Sequence, residues 1–293
     1  MKEDINDNEI RVIGHASSPK QPKRRPKVPW WAWVIVAAVV AVVAGVVLLK
    51  TFRTTPQDTV PYVFEPETTE TASRPLEGWF ASLDTVTAVG TAGHDTVVND
   101  IPLRVYVPLN GAIPRLELGY NAINERERNI LVFQAADIRA DNYQIVGAFV
   151  LHGKPLSWGL SKKGYCAIID DRVTIGVADN SPLFELATEK NGYFFRQYPL
   201  VDNGKPVENE LKNKAIRRAL CDICGRVAVI ASQTPESFHD FTQALVDVGV
   251  QNAIYLVGGT AIGWSQDLAG NGTKMGLWDT KHYKNTSFIV WSK

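Results

Sequence analysis

Cysteine is scarce in this chain: three residues, Cys166, Cys221 and Cys224, among 293. An odd count excludes a fully paired disulfide framework, and which of the three pair is left open. Cys221 and Cys224 have the C-x-x-C spacing of redox sites, but a redox motif of that kind opens a helix. Here AIRRAL precedes and RVAVIA follows, both strand-like, and Gly225 comes at once, so the pair is expected to span a hairpin turn. Two cysteines do not complete a structural zinc site. No His, Cys, Asp and Glu grouping has metal-ligand spacing, and neither a Ser-His-Asp signature nor a phosphate-binding P-loop is present. No metal and no cofactor is therefore expected. Net charge is also lacking, at a formal zero, which removes the electrostatic argument for nucleic acid as a partner.

One long hydrophobic run is present. Trp30 to Leu49 (WWAWVIVAAVVAVVAGVVLL) is 20 residues without a charged or polar aliphatic side chain. At about 1.5 Å per residue it spans roughly 30 Å, the hydrocarbon thickness of a bilayer. Trp30, Trp31 and Trp33 stand at one end, where an interfacial aromatic belt belongs. A cleaved signal peptide has a shorter apolar core and a small-x-small site after it. Here Lys50-Thr51-Phe52-Arg53 follows, which is a poor cleavage site, so a retained anchor is expected. No cysteine lies near the run, which excludes a lipoprotein. Arg11, Lys20, Lys23, Arg24, Arg25 and Lys27 precede it, and only Lys50 and Arg53 follow closely. This asymmetry places the N-terminus in the cytoplasm and the C-terminal part in the periplasm or outside the cell.

Four regions follow: a basic cytoplasmic tail over 1–29, a transmembrane helix over 30–49, an extracytoplasmic linker over 50–75 and a globular domain over 76–293. The linker is rich in Thr, Pro and Glu, the composition of an extended tether.

Within the domain, Leu76 to Leu83 is amphipathic enough for a short helix. From Ile101 the pattern alternates with period two: IPLRVYVPL, then LELGY and ILVFQAADI. Gln144 to Val150 is an apolar run expected to be a central strand, and Gly147 within it suggests close backbone approach. Gly153-Lys154-Pro155 reads as a turn. Tyr165–Ile169 and Val173–Val177 read as a hairpin closed by Asp170-Asp171-Arg172, whose acidic pair is turn chemistry rather than an acid and base. Near the C-terminus, Arg226–Ser232 is a buried strand. A helix should follow with Thr234 as its cap and Pro235 in its first position. Phe238, Phe241, Leu245 and Val248 form its apolar face, and Gly249 closes it. Ala253–Val257 is the next strand, and Ser287–Trp291 the last. The expected class is α+β: a mixed β-sheet with a C-terminal β-α-β unit, preceded by a single transmembrane helix. Gly258-Gly259-Thr260 ends the second strand of that unit, where glycines allow backbone N–H groups to face a ligand.

These residues resemble the phosphodiester glycosidase family, which removes N-acetylglucosamine from sugar-phosphate diesters. The resemblance runs over roughly residues 140–262 and rests on the order and spacing of motifs. Val146-Gly147-Ala148-Phe149-Val150 stands where the family has Asn-Gly-Gly-Phe-Phe. Pro199-Leu200-Val201 with Gly204 matches Pro-Leu-Val-x-x-Gly. Arg217-Arg218-Ala219-Leu220-Cys221 stands for Arg-Thr-Ala-Ile-Gly, and Leu256-Val257-Gly258-Gly259-Thr260-Ala261 for Leu-Asp-Gly-Gly-Gly-Ser. The family's motif Asn is Val146 here and its motif Asp is Val257. The resemblance implies a cleft in which Gly147, Gly258, Gly259 and Thr260 bind substrate and Arg217 clamps a phosphate. His152, after the Gly147 strand, is a candidate for the missing acid; Glu185, Glu189 and Asp267 are carboxylates the sequence does not place. Two functions are implied: a membrane-anchored glycosidase acting on sugar-phosphate diesters, or an inactive descendant that binds a glycan or an envelope partner. Valine supplies no proton and no nucleophile, and glycoside hydrolysis ordinarily uses two carboxylates. The expected ligand in either case is a carbohydrate or sugar phosphate.

The charge asymmetry makes a direct prediction. Protease added to spheroplasts should remove the chain beyond Arg53 and spare the N-terminal tail; a protected C-terminal domain would reverse the assigned orientation.

Overall fold

The computed structural model describes residues 76–120, 128–210, 213–278 and 283–293. The tail, apolar run and linker expected over 1–75 lie outside the described residues. Among the described residues, no helix is long and apolar enough to cross a membrane.

The domain is mostly β-structure. A short helix α1 (Glu77–Ser82) leads into β1 (Gly90–Val98), β2 (Ile101–Leu109), β3 (Ile113–Leu118) and β4 (Asn129–Gln134). Then come β5 (Ala148–Leu151), β6 (Lys154–Trp158), β7 (Gly164–Ile169), β8 (Arg172–Val177), α2 (Leu183–Glu189), β9 (Tyr193–Gln197), β10 (Pro199–Asp202) and β11 (Lys205–Pro206). The chain continues with β12 (Arg218–Ile223), β13 (Arg226–Ser232), α3 (Phe238–Asp247), β14 (Val250–Leu256), β15 (Gly263–Gln266), β16 (Gly272–Met275) and β17 (Ser287–Ser292).

Local turn chemistry sets most of the hairpins. Asn99-Asp100, His152-Gly153, Asp170-Asp171, Asn203-Gly204 and Cys224-Gly225 each join two consecutive strands with positive φ at both residues. That is the backbone of two-residue turns whose twist matches the strands they join. The expected hairpins around Asp170 and Cys224 are among them. The turn expected at Gly153–Pro155 begins one residue earlier, at His152, and Lys154 and Pro155 already belong to β6.

The strands form three sheets. A seven-stranded sheet has the order β1-β2-β13-β12-β14-β10-β11, and two five-stranded sheets have the orders β16-β15-β4-β17-β3 and β6-β5-β9-β7-β8. Every ladder between these strands is antiparallel. The expectation of a mixed sheet is corrected here. Strands β13 and β14 do run parallel to each other across the β-α-β unit, but β12 lies between them and pairs antiparallel with both. A hairpin partner already occupies the position a parallel neighbour would need.

The seven-stranded sheet buries both faces. On one, Ala219, Cys221 and Ile223 of β12 meet Phe238, Phe241, Leu245 and Val248 of the α3 segment, with Leu76 and Phe80 of the α1 segment in the same core. On the other, Leu220 packs with Phe149, Phe195, Phe133 and Ile289 of the two smaller sheets. The apolar face expected for α3 is the observed one. Its start differs: α3 begins at Phe238, and Ser237 caps it by accepting a bond from the Asp240 N–H at 3.0 Å. Thr234 and Pro235 precede the helix, because Glu236 exchanges backbone bonds with Ala215 at 2.8 and 3.1 Å and is held extended. The strand expected over 144–150 also shortens to Ala148–Leu151, and it lies next to the edge strand of its sheet.

Phe241 is fully buried between α3 and the sheet. Truncation of a core phenylalanine ordinarily costs about 3–5 kcal/mol, and Phe241→Ala should lose that much in urea unfolding. A loss under about 1 kcal/mol, the range of surface substitutions, would place the α3 face elsewhere.

Candidate functional site

The residues after β14 define the neighbourhood. Gly258 crosses directly over the segment that enters β12: a Cβ added there would lie 2.1 Å from the Ile216 carbonyl oxygen. Gly259 has φ +58, a left-handed backbone that glycine adopts without strain. Their N–H groups are engaged within the chain. The Gly258 N–H donates to the Tyr255 hydroxyl at 3.0 Å and the Gly259 N–H to the Ile216 carbonyl at 2.8 Å. In this arrangement both donors are used to close the turn. Thr260 beyond them is exposed, and its carbonyl accepts from the Leu277 N–H.

Arg217 and Arg218 point to opposite faces of the sheet, since side chains alternate along a strand. Arg217 faces α3. Its guanidinium lies 4.3 Å over the Phe238 ring, donates from Nε to the Glu236 carbonyl at 2.8 Å, and donates from a terminal nitrogen to the Asn213 carbonyl. It is buried, and it ties the entry of β12 to the entry of α3. An arginine engaged in this way braces the two segments. Arg218 faces the other core and donates to the Ala261 carbonyl at 2.7 Å, above the Phe133 ring. Burial lowers its pKa, opposed by Tyr106 and Tyr255. The glycine turn is thus held from one face by Arg218 and from the other by the Tyr255 hydroxyl.

From Tyr255 a continuous polar and aromatic cluster extends along the α3 side. The Tyr255 N–H donates to the Tyr198 carbonyl at 2.8 Å, and both rings flank Phe238, at 4.9 and 5.9 Å. The Lys162 ammonium sits 4.2 Å over the Tyr198 ring. It donates to Gln197 Oε1 at 2.6 Å and to the Asp137 carboxylate. Gln197 in turn donates to the Ala135 carbonyl at 3.2 Å. Lys162 is buried, whereas the Asp137 side chain is 30% exposed. Burial lowers the Lys162 pKa, and the neighbouring Asp137 carboxylate opposes that. Burial also raises Tyr198, with Asp137 and Tyr255 adding to it. The Asp137 carbonyl accepts from the Val146 N–H at 2.8 Å, which sets Gly147 at the border of the cluster. Gly147 has φ +87, and a Cβ there would meet Arg196 Cβ at 2.9 Å, so the expected close backbone approach is present.

The structure therefore gathers Gly147, Arg217, Gly258 and Gly259 around Tyr198, Tyr255, Lys162 and Asp137. It does not bring in His152. That residue has φ +53 in the β5–β6 turn, at the opposite end of β5 from Gly147, with its ring tilted 5.2 Å from Tyr193. Asp267 accepts from Asn271 and from the Ala269 and Asn271 N–H groups, bonds that hold its carboxyl below the usual range and shape its own turn. Glu185 and Glu189 lie on α2, with Glu185 beside a separate cavity.

Asp137, Lys162, Gln197, Tyr198 and Tyr255 are the residues that sequence reasoning did not single out. Asp137 ends an apolar strand, and Lys162 sits in Ser-Lys-Lys-Gly, which reads as a solvated loop. Nothing local marks them. Their chemistry is limited. Asp137 is the carboxylate that the cluster's bonds include, and its partner lysine already donates to two oxygens. Val146 and Val257 add no proton donor. Cys166 and Cys221 are buried free thiols whose ionisation burial opposes, and Cys224 is exposed in its hairpin turn. Among the described residues, no group of His, Cys, Asp and Glu is arranged to hold a metal ion.

No protein-family model matches the chain, and no curated protein matches it by sequence. Solved structures do resemble it. A hypothetical protein from Synechocystis is 14% identical, with a TM-score of 0.54 over 70% of this chain and 62% of that one. The zebrafish N-acetylglucosamine-1-phosphodiester alpha-N-acetylglucosaminidase catalytic domain, auto-inhibited by its pro-peptide, is 10% identical, with a TM-score of 0.49 over 70% of this chain and 82% of that one. At such identities the Synechocystis likeness shows a shared fold and nothing about activity.

The two glycines make separable predictions. Gly258→Ala pushes a Cβ into a backbone carbonyl and should destabilise the domain by more than about 2 kcal/mol, as overpacking does. Gly259 has open space around its Cα, and Gly259→Ala should cost only the left-handed penalty of about 1–2 kcal/mol. Urea midpoints of the two variants provide the check.

Proposed function

We propose that this chain is a membrane-anchored, extracytoplasmic protein of phosphodiester glycosidase-like fold that binds a sugar phosphate or related glycan and does not hydrolyse it. The motif order over residues 140–262 supports the fold relationship, and the apolar run with its basic flank supports the anchor. The observation that carries the non-hydrolytic reading is the state of the groups that catalysis would use. Arg217 is engaged by the Glu236 and Asn213 carbonyls, and the Gly258 and Gly259 N–H groups are engaged by Tyr255 and Ile216. Valine occupies positions 146 and 257.

A second reading rests on Asp137. A partly exposed carboxylate beside a lysine of lowered pKa is an arrangement found in active sites. With one carboxylate, hydrolysis would need water or substrate to supply the other half of the acid–base work.

Hydrolysis of an α-N-acetylglucosamine phosphodiester and binding of its non-hydrolysable analogue separate the two. The expected result is binding without turnover above background, with Asp137→Asn leaving that rate unchanged. Turnover that falls by about 10²–10⁴-fold in Asp137→Asn, the usual weight of acid–base catalysis, would establish the enzymatic reading instead.

A further inference from the structure

A second site lies on the sheet β6-β5-β9-β7-β8. Strand β6 is its edge and, among the described residues, pairs only with β5. Its last residue, Trp158, is 67% exposed, and Leu160 just beyond it is 65% exposed. The Trp158 side chain has no hydrogen bond and no ring partner among the described residues. Exposed apolar side chains in a cluster mark binding surfaces more often than chance. These two line a cavity of about 150 Å³ together with Ala148, Asn180, Phe184, Glu185 and Arg196.

The aromatic wall of this cavity is held in place, and two of its polar side chains, Asn180 and Glu185, face solvent. Trp158 stands opposite Ala148 in the ladder, and so small a neighbour leaves room beneath the indole. Phe184 is held edge-on against Phe194, with centroids 5.6 Å apart. Asn180 and Glu185 are exposed, and neither side chain has a hydrogen-bond partner among the described residues. Arg196 is buried and donates only to the carbonyls of Lys162, Ala178 and Asp179, at 2.7 to 3.0 Å. Its Nε, also buried, has no partner. Arg196 and Glu185 bring one charge of each sign to the lining, and the Asp179 carboxylate also acts on the guanidinium, so the cavity has no excess of positive charge and favours a neutral ligand over an anion.

We infer that this cavity binds a single neutral pyranose ring. One face of such a ring is lined with C–H groups that suit an exposed indole and a leucine, and its rim carries hydroxyls. Those hydroxyls can donate to the Glu185 carboxylate and both donate to and accept from the Asn180 amide. The size agrees, since pockets for drug-sized ligands run to about 300–1,000 Å³ and this one is half the lower figure or less. Pairing of another strand onto the β6 edge is the competing use of this surface. Pro155 opposes it by removing one of the N–H groups that such a ladder needs. The site borders the Tyr255 cluster through Arg196, which donates to the Lys162 carbonyl and packs against Gly147, but Trp158, Leu160, Asn180 and Glu185 line this cavity and take no part in that cluster.

The test uses the full chain in a detergent without a sugar headgroup and four probes: the methyl glycosides of glucose, galactose, mannose and N-acetylglucosamine. Saturation-transfer NMR should show contact at the ring C–H protons of at least one, with affinity on the order of millimolar, as expected for one small ring. Trp158→Ala should weaken that binding at least about tenfold, Trp158→Phe should retain most of it, and Glu185→Gln should weaken it about threefold or more, as loss of an aromatic contact and a charged acceptor imply. Thermal melts of the variants should match the unaltered protein, because both side chains are exposed. No transfer to any of the four, or transfer that Trp158→Ala leaves unchanged, overturns the inference. The phosphodiester analogue, measured alongside, separates the two sites. Analogue binding with no glycoside contact sinks this site alone, and glycoside contact through Trp158 without analogue binding upholds it while removing the proposed function.

Discussion

Strand β12 has hydrogen-bonded neighbours on both sides and a dry core on both faces, and much of the molecule is arranged by that condition. Its backbone groups are satisfied by β13 and β14, so neither face needs water. Ala219, Cys221 and Ile223 then meet the helical layer while Leu220 meets the smaller sheets. The same alternation sends Arg217 and Arg218 to opposite sides. Each arginine is buried at the end of a strand, where it draws carbonyls from neighbouring segments: Glu236 and Asn213 on one side, Ala261 on the other. A buried guanidinium without such partners would be costly, and these bonds fix the entry of α3, the entry of β12 and the turn after β14.

This explains why the donors of the glycine turn after β14 face inward. Gly258 passes within a Cβ radius of Ile216, and the turn closes by using the N–H groups that a ligand would otherwise meet. Polar groups toward solvent here include the exposed part of Asp137 and the side chain of Thr260. The Trp158 cavity follows a different logic, with aromatic walls, amide and carboxylate side chains toward solvent, and a buried arginine beneath them.

Much of the fold was legible because its causes are local. Two-residue turns such as Asp170-Asp171 and Cys224-Gly225 announce hairpins, and period-two runs such as Ile101–Leu109 announce half-buried strands. The spacing of Phe238, Phe241, Leu245 and Val248 identifies the face of α3. The errors also have local explanations. Thr234-Pro235-Glu236 has the residue order of a helix start, but a bridge to Ala215 holds it extended and Ser237 takes the capping role. The parallel strands of the β-α-β unit suggested a mixed sheet, and the antiparallel β12 between them made every ladder antiparallel.

The sequence by itself determined the anchor expectation, the hairpins, the amphipathic helix and the order of motifs on which the family resemblance rests, because each depends on residues within a few positions of one another. Only the tertiary structure decided what those motifs do. Lys162 meets Asp137 across 25 residues and Gln197 across 35, and Arg218 reaches Ala261 across 43. Strand parity turned Arg217 toward α3, and strand pairing set Tyr198 beside Tyr255. The availability of a charge or an N–H group to a ligand depends on what else in the folded chain has already bonded to it, and no local pattern records that.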